Sequence, residues 1–134
     1  MTSAQSHRWS ADELATIAGT AEVDLATSRS DGTLRGARIV WIVRHDDAVY
    51  VRSVNGTAAA WYRGVQTRHE GHLRAGEVAR DIAFVEVGGH AGGDASLDDA
   101  LDAVYGAKYH RWPGPVASIN SETARATTLR VDPA

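Results

Sequence analysis

At 134 residues the chain has the length of one domain, and its 43% hydrophobic and 23% charged content is that of a globular protein, which excludes disordered and fibrous classes. A net charge of −3, a pI near 6.0 and scattered arginines argue against nucleic acid as partner, because phosphate-backbone binding needs a basic face; a small-molecule ligand is expected instead. The absence of cysteine excludes disulfides, thiolate catalysis and cysteine-ligated metals, and with no apolar run longer than Ile39 to Val43 neither a membrane span nor a signal core is predicted, so a cytoplasmic protein is expected.

In chain order, Ser10-Ala11-Asp12-Glu13 forms a capping box that opens a short helix with Leu14 and Ile17 on one face, ended by Gly19. Val23 and Leu25 mark a strand and Ser30-Asp31-Gly32-Thr33 a turn. Arg35 to Arg44 reads as a second strand, apolar on both faces over Ile39-Val40-Trp41-Ile42-Val43, and the pair as a hairpin. After the turn His45-Asp46-Asp47, Ala48 to Val54 is predicted as a strand and Ala58 to about Gln66 as a helix. Glu70 to Ala75 and Glu77 to Val87 form a hairpin about Gly76, and Gly88 to Gly93 a mobile glycine-rich loop. Ser96 caps a helix carrying Leu97, Leu101, Val104 and Tyr105 at i, i+4, i+7 and i+8, and the last strand is Ala126 to Val131. The expectation is a single domain over 1–134, mainly β with peripheral helices, of about six antiparallel strands and three helices. Closing such a sheet into a small barrel removes its exposed edges.

The stretch from Ala48 to Val65 carries the strongest functional signal. A strand stops at Asn55-Gly56, which tolerates positive φ, and a helix restarts with Thr57 as candidate cap. The amides of the first helical turn and the guanidinium of Arg52 would then converge on a phosphate or carboxylate. Trp61 and Tyr62, one turn on, could wall a flat ligand held by that anionic end. The same stretch is also readable as an ordinary β-turn-α connection with Arg52 a solvated charge.

His69 and His72 beside Glu70 could ligate a metal, but a strand puts residues three apart on opposite faces, so no metal site is assigned. Asp98, Asp99 and Asp102 are accounted for by a helix dipole. The cluster Tyr109-His110-Arg111-Trp112-Pro113 could close over a pocket, His110 transferring a proton with Tyr109 as donor and Trp112 contacting substrate, or could be a packed loop anchored by Trp112. Arg38 and Trp41 could face the barrel mouth as substrate contacts, with Trp41 also readable as core. No nucleophile elbow, Walker loop or paired catalytic carboxylates occur, which ranks hydrolase and kinase readings low.

The segments WSADEL, RSDGT, WIV, VYVRSVNG with WYRG, Ala103 to Tyr109 and the terminal TTLRVDP resemble, over nearly the whole chain, a small bacterial family, domain of unknown function 2255. That family lies within the FMN-binding split-barrel group, related to pyridoxamine-phosphate oxidases and deazaflavin-dependent nitroreductases. The resemblance implies a split β-barrel, usually a homodimer with two ligand sites at the subunit interface. It further implies FMN or a deazaflavin, its phosphate surrounded by Arg52, Ser53, Asn55, Gly56, Thr57, Trp61 and Tyr62. The chain departs from the deazaflavin pattern in having one glycine in the loop, no lysine there, and Arg63-Gly64 where His-Asn is usual. Three functions are therefore open: a flavin or deazaflavin oxidoreductase; a cofactor-free cyclase or isomerase of specialised metabolism using Tyr109, His110 or Arg52; and a non-catalytic ligand-binding barrel.

Overall fold

Trp41 interrupts the stretch that the sequence predicts as one long strand, and this break sets the architecture. A computed structural model describes residues 8–88 and 95–134. After α1 (Ala11–Gly19) come β1 (Val23–Thr27), β2 (Arg38–Val40), β3 (Ile42–His45) and β4 (Ala48–Val51). A 3₁₀ turn (Gly56–Ala58) then leads into α2 (Ala60–Thr67), β5 (Glu70–Ala75), β6 (Val78–Glu86), α3 (Ala95–Lys108), α4 (Pro113–Ile119), α5 (Glu122–Arg125) and β7 (Leu129–Pro133). The seven strands form one sheet in the order β2-β1-β5-β6-β7-β4-β3, every pair antiparallel. Its two outermost strands, β2 and β3, are separated in sequence by Trp41 alone, so the chain itself joins the two edges and the sheet rolls into a nearly closed barrel.

The expected strand Arg35 to Arg44 is thus two strands, because its halves pair with opposite ends of the sheet: Val40 with Val23, Ile42 with Val51. The β5–β6 hairpin turns at Gly76, whose φ is +57°, and the capping box is formed, with the Ser10 hydroxyl accepting from the Glu13 amide. The predicted helix from Ala58 begins instead as the 3₁₀ turn, and α2 follows Ala59 without a side-chain cap. The predicted strand at Ala126 starts only at Leu129, because the Thr127 and Thr128 hydroxyls donate to the carbonyls of Ala124 and Arg125 and hold the preceding turn. Ser96 lies inside α3. Most of the loop expected over Gly88 to Gly93, from Gly89 on, lies outside the described residues.

Period-two alternation divides β4 between two cores. Val49 and Val51 point into the barrel with Leu25, Leu73, Ile82 and Leu129, and α1 plugs one end with Leu14 and Ile17. Tyr50 points outward into a second cluster with Val43, Leu101, Tyr105, Tyr109 and Ile119, which α3 and α4 cover. Leu25, Leu73, Ile82 and Leu129 are wholly buried, each worth about 1.5–3 kcal/mol of transfer free energy. Among the described residues no helix is long and apolar enough to cross a membrane.

Candidate functional site

Arg52 follows Tyr50 on the outward face of the β4 stretch and so lies under α3. It is 1% exposed. Nη1 meets Asp102 Oδ1 at 2.6 Å and Nη2 meets Asp98 Oδ1 at 3.5 Å, while Nε donates to Thr128 Oγ1 at 3.1 Å and Nη1 also to Asn120 Oδ1 at 3.1 Å. Arg125 closes the cluster from α5, 2.6 Å from Asp102 Oδ2. Asp98 and Asp102 are one turn apart on α3, on the stripe that also buries Leu101 and Tyr105. Their task is internal neutralisation of Arg52, beyond the helix-dipole role read from the sequence. The guanidinium expected to aim at a ligand anion is engaged within the protein on every side.

The rest of the expected anion loop is engaged in the same way. The Arg52 amide donates to the Tyr105 hydroxyl and the Ser53 amide to Thr127 Oγ1. The Ser53 hydroxyl donates to the Gly56 carbonyl. Gly56, at φ +64°, presses on the Thr123 methyl so closely that a Cβ would collide with it. Asn55 and Thr57 are exposed and cap nothing, and Tyr62 is buried in the barrel core. Of the residues expected around a phosphate, Trp61 is the one left half-open at a cleft.

Trp61 lines two clefts. The first, about 220 Å³, is lined by Ile39, Val40, Trp41, Val54, Pro115 and Ile119 with Trp61 and Arg52. Ile39 and Val54 are 62% and 47% exposed, so its rim is open apolar surface. The second, about 270 Å³, is lined by Leu25, Thr27, Arg35, Gly36, Ala37, Arg38, Ala60 and Trp61. Arg35 Nη1 donates to the Ser28 carbonyl at 2.7 Å, Arg38 is exposed on β2, and among the described residues neither has a carboxylate partner. Ala60 opens α2, whose N-terminal dipole adds to their positive field. Gly64, one turn on, lets α2 approach β1: a Cβ there would lie 2.5 Å from Thr27 Oγ1 and 3.1 Å from Arg35 Nη1. The two clefts share Trp61 as a wall; the first is otherwise mostly apolar and the second carries Arg35 and Arg38.

Of the expected site residues, Trp41 and Trp61 thus share one cleft, and Arg38 and Trp61 the other. Tyr109 and His110 lie elsewhere. Tyr109 is fully buried, its hydroxyl donated to the Ala21 carbonyl at 2.5 Å, and burial pushes its phenol well above the usual range. His110 is exposed and its Nδ1 pairs with the Ala107 carbonyl. Trp112 stands with Trp41, Ala21 and Glu22 around a separate cavity of about 420 Å³. His69 pairs with Glu86 and His72 with Asp81 across the β5–β6 hairpin. Sequence reading passed over Arg35, which only the fold sets beside Arg38 and α2.

The model of a bacterial family described as "Uncharacterized protein conserved in bacteria (DUF2255)" matches residues 13–131. The chain belongs to this family. Among curated proteins none matches it. Of solved structures, this family member is similar to the heme storage protein HutZ from Vibrio cholerae, with a TM-score of 0.65 and 14% identity over 95% of this chain and 91% of that one. It is similar also to an F420 reductase, at a TM-score of 0.50 and 15% identity over 89% of each chain. The conserved hypothetical protein Rv2991 from Mycobacterium tuberculosis superposes at a TM-score of 0.51 and 13% identity over 96% of this chain and 82% of that one. The shared property is the fold, and the family member is a split barrel.

Proposed function

We propose that this barrel binds a flat, anion-bearing small molecule of the flavin or deazaflavin type in the Trp61 groove and serves as an oxidoreductase through it. The observation that carries the reading is the polarity of the groove. Ile39, Trp41, Val54 and Trp61 wall one cleft, and Trp61 also walls a second whose ionisable lining groups, among the described residues, are Arg35 and Arg38. Indole walls suit a planar ring and two guanidinium groups suit a phosphate or carboxylate. Each cleft alone is smaller than the roughly 300 Å³ at which ligand sites begin, so the reading requires a ligand that spans both across Trp61. Two fold neighbours are named for heme and for F420, both planar chromophores.

Such a group, when bound, supplies hydride or electron transfer. The chain's part is to hold the anion at Arg35 and Arg38, orient the ring against Trp61 and exclude water with Ile39 and Val54. The phosphate site moves accordingly from the Arg52–Thr57 loop to the β2–α2 corner. A cofactor-free cyclase or isomerase is less well supported, since among the described residues the groove offers arginines and no residue that titrates near neutral pH. A homodimer belongs to the same proposal: a second copy seated on exposed Ile39 and Val54 would deepen the apolar half.

The test is calorimetric titration of the purified protein with FMN, a deazaflavin and heme, together with light scattering. One ligand is expected to bind to a dimer, and Arg38→Ala to weaken it by about 1.5–3 kcal/mol, or 10- to 100-fold, as for hydrogen bonds to a charged group. Binding of none of the three would overturn the reading, as would binding that Arg38→Ala and Trp61→Ala both leave unchanged.

A further inference from the structure

We propose that Trp41 and Trp112 form a two-indole relay that carries an oxidising equivalent from the ligand groove to the protein surface. Trp41 lines the apolar cleft. Its ring lies parallel on Tyr109, centroids 3.9 Å apart and planes 7° from parallel, and the Trp112 ring stands 5.9 Å from it. Trp112 is 45% exposed. Its position is fixed by its amide, which donates to the Tyr109 carbonyl at 2.9 Å, and by its own carbonyl, which accepts from Val116 as α4 begins. Trp61 lines the same cleft but leads inward: its ring contacts Tyr62, which is 7% exposed and belongs to the barrel core. One groove therefore has two indole walls, and Trp41 is the one with an aromatic exit to water.

The neighbouring tyrosines do not divert the charge. Oxidising a phenol requires that its proton leave, and the Tyr109 and Tyr105 hydroxyls donate to the carbonyls of Ala21 and Trp41, which are not bases. Burial holds both phenols protonated, and the Lys108 ammonium, 5.2 Å over the Tyr109 ring, opposes further positive charge there. An indole, in contrast, loses an electron without first losing its proton. A one-electron oxidant in the groove takes an electron from Trp41; Trp112 passes one electron to the Trp41 cation and becomes a cation itself. Exposed Trp112 then releases its indole N–H proton to water. A diffusible thiol returns one hydrogen atom to it, and two thiyl radicals combine to a disulfide. The purpose of such a path, sparing the groove from oxidation, rests on the redox reading above; its existence does not.

The experiment exposes the whole protein to azide radical, a small uncharged one-electron oxidant selective for indole, and maps oxidised tryptophans by peptide mass spectrometry. Trp112→Phe and Trp112→Tyr preserve bulk, but only tyrosine can be oxidised and, on the surface, give its proton to water. Trp112→Phe is expected to raise oxidation of Trp41 several-fold with Trp61 unchanged, and Trp112→Tyr to return Trp41 to the wild-type level. Equal behaviour of the two variants would mean that Trp112 merely shields Trp41 and would overturn the relay, as would Trp41 oxidation that neither variant alters. No bound cofactor enters this measurement, so its failure and that of the groove titrations are read separately.

Discussion

Replacement of Arg52 by alanine separates a structural guanidinium from a ligand-binding one. Truncation deletes the 2.6 Å pair with Asp102, the 3.5 Å pair with Asp98 and the bond to Thr128. Asp102 keeps Arg125 as partner, but Asp98, whose side chain is 9% exposed, loses the guanidinium with which it pairs and keeps only the longer-range field of Arg125. Its Oδ1 already lacks a hydrogen-bond donor. Removing one member of a buried ion pair costs about 3–5 kcal/mol, chiefly by stranding the other charge. For a chain of 134 residues that is a fall in Tm of roughly 10–20 °C. Urea and thermal unfolding followed by circular dichroism measure it. The double variant Arg52→Met with Asp98→Asn is expected to recover about 1–2 kcal/mol relative to Arg52→Met, since the neutral amide is no longer a stranded charge. If Arg52→Ala instead lost under about 1 kcal/mol of stability while abolishing binding of an anionic ligand, the internal-neutralisation argument would be refuted and the guanidinium restored to the ligand.

Burial lowers the Lys108 ammonium to about pH 8 from its ordinary 10.5, as its Nζ donates to the carbonyls of Ile17 and Ile42. Above pH 8 the native state sheds this proton before the unfolded state does, so Lys108 makes Tm rise from about pH 8 towards 10; melts of Lys108→Met, which is expected to lack the rise, check this. Above pH 10 the raised phenols of Tyr105 and Tyr109 reverse the sign, because the unfolded chain then loses protons first. Gly64→Ala sets a methyl against Thr27 and Arg35 and is expected to cost about 1–3 kcal/mol in denaturant unfolding and to weaken the groove ligand through Arg35. His110→Ala, at an exposed site away from the groove, is expected to change stability and ligand affinity by under about 0.5 kcal/mol, and a larger loss of affinity would return the histidine to the site.

Local chemistry was legible in the sequence wherever neighbours in the chain are also neighbours in space. Ser10 and Glu13 cap α1 because the box closes within one turn, Gly76 turns the β5–β6 hairpin because its positive φ is a local requirement, and alternation along β4 correctly sets Tyr50 and Arg52 opposite Val49 and Val51. The barrel itself was foreseeable from the run of antiparallel strands and the family resemblance. What alternation does not contain is the identity of whatever meets the outward face. The partners of the Arg52 guanidinium come from α3, from the end of α4 and from just before β7, between 46 and 76 positions away, so a residue that reads as an anion hook is a neutralised internal charge. The same holds for Trp41: its apolar surroundings read as unbroken strand, and only closure of the sheet, which needs β2 and β3 on opposite edges, forces the chain to break there. Arg35 and Arg38 reach α2 because β2 pairs with β1 and Gly64 lets α2 pack on Thr27 of that strand. The sequence by itself determined the cap, the hairpin turn and the alternation of faces along β4, because those follow from local backbone geometry. The tertiary structure alone decided which charges are consumed and which stay available, because long-range pairing sets what each side chain faces.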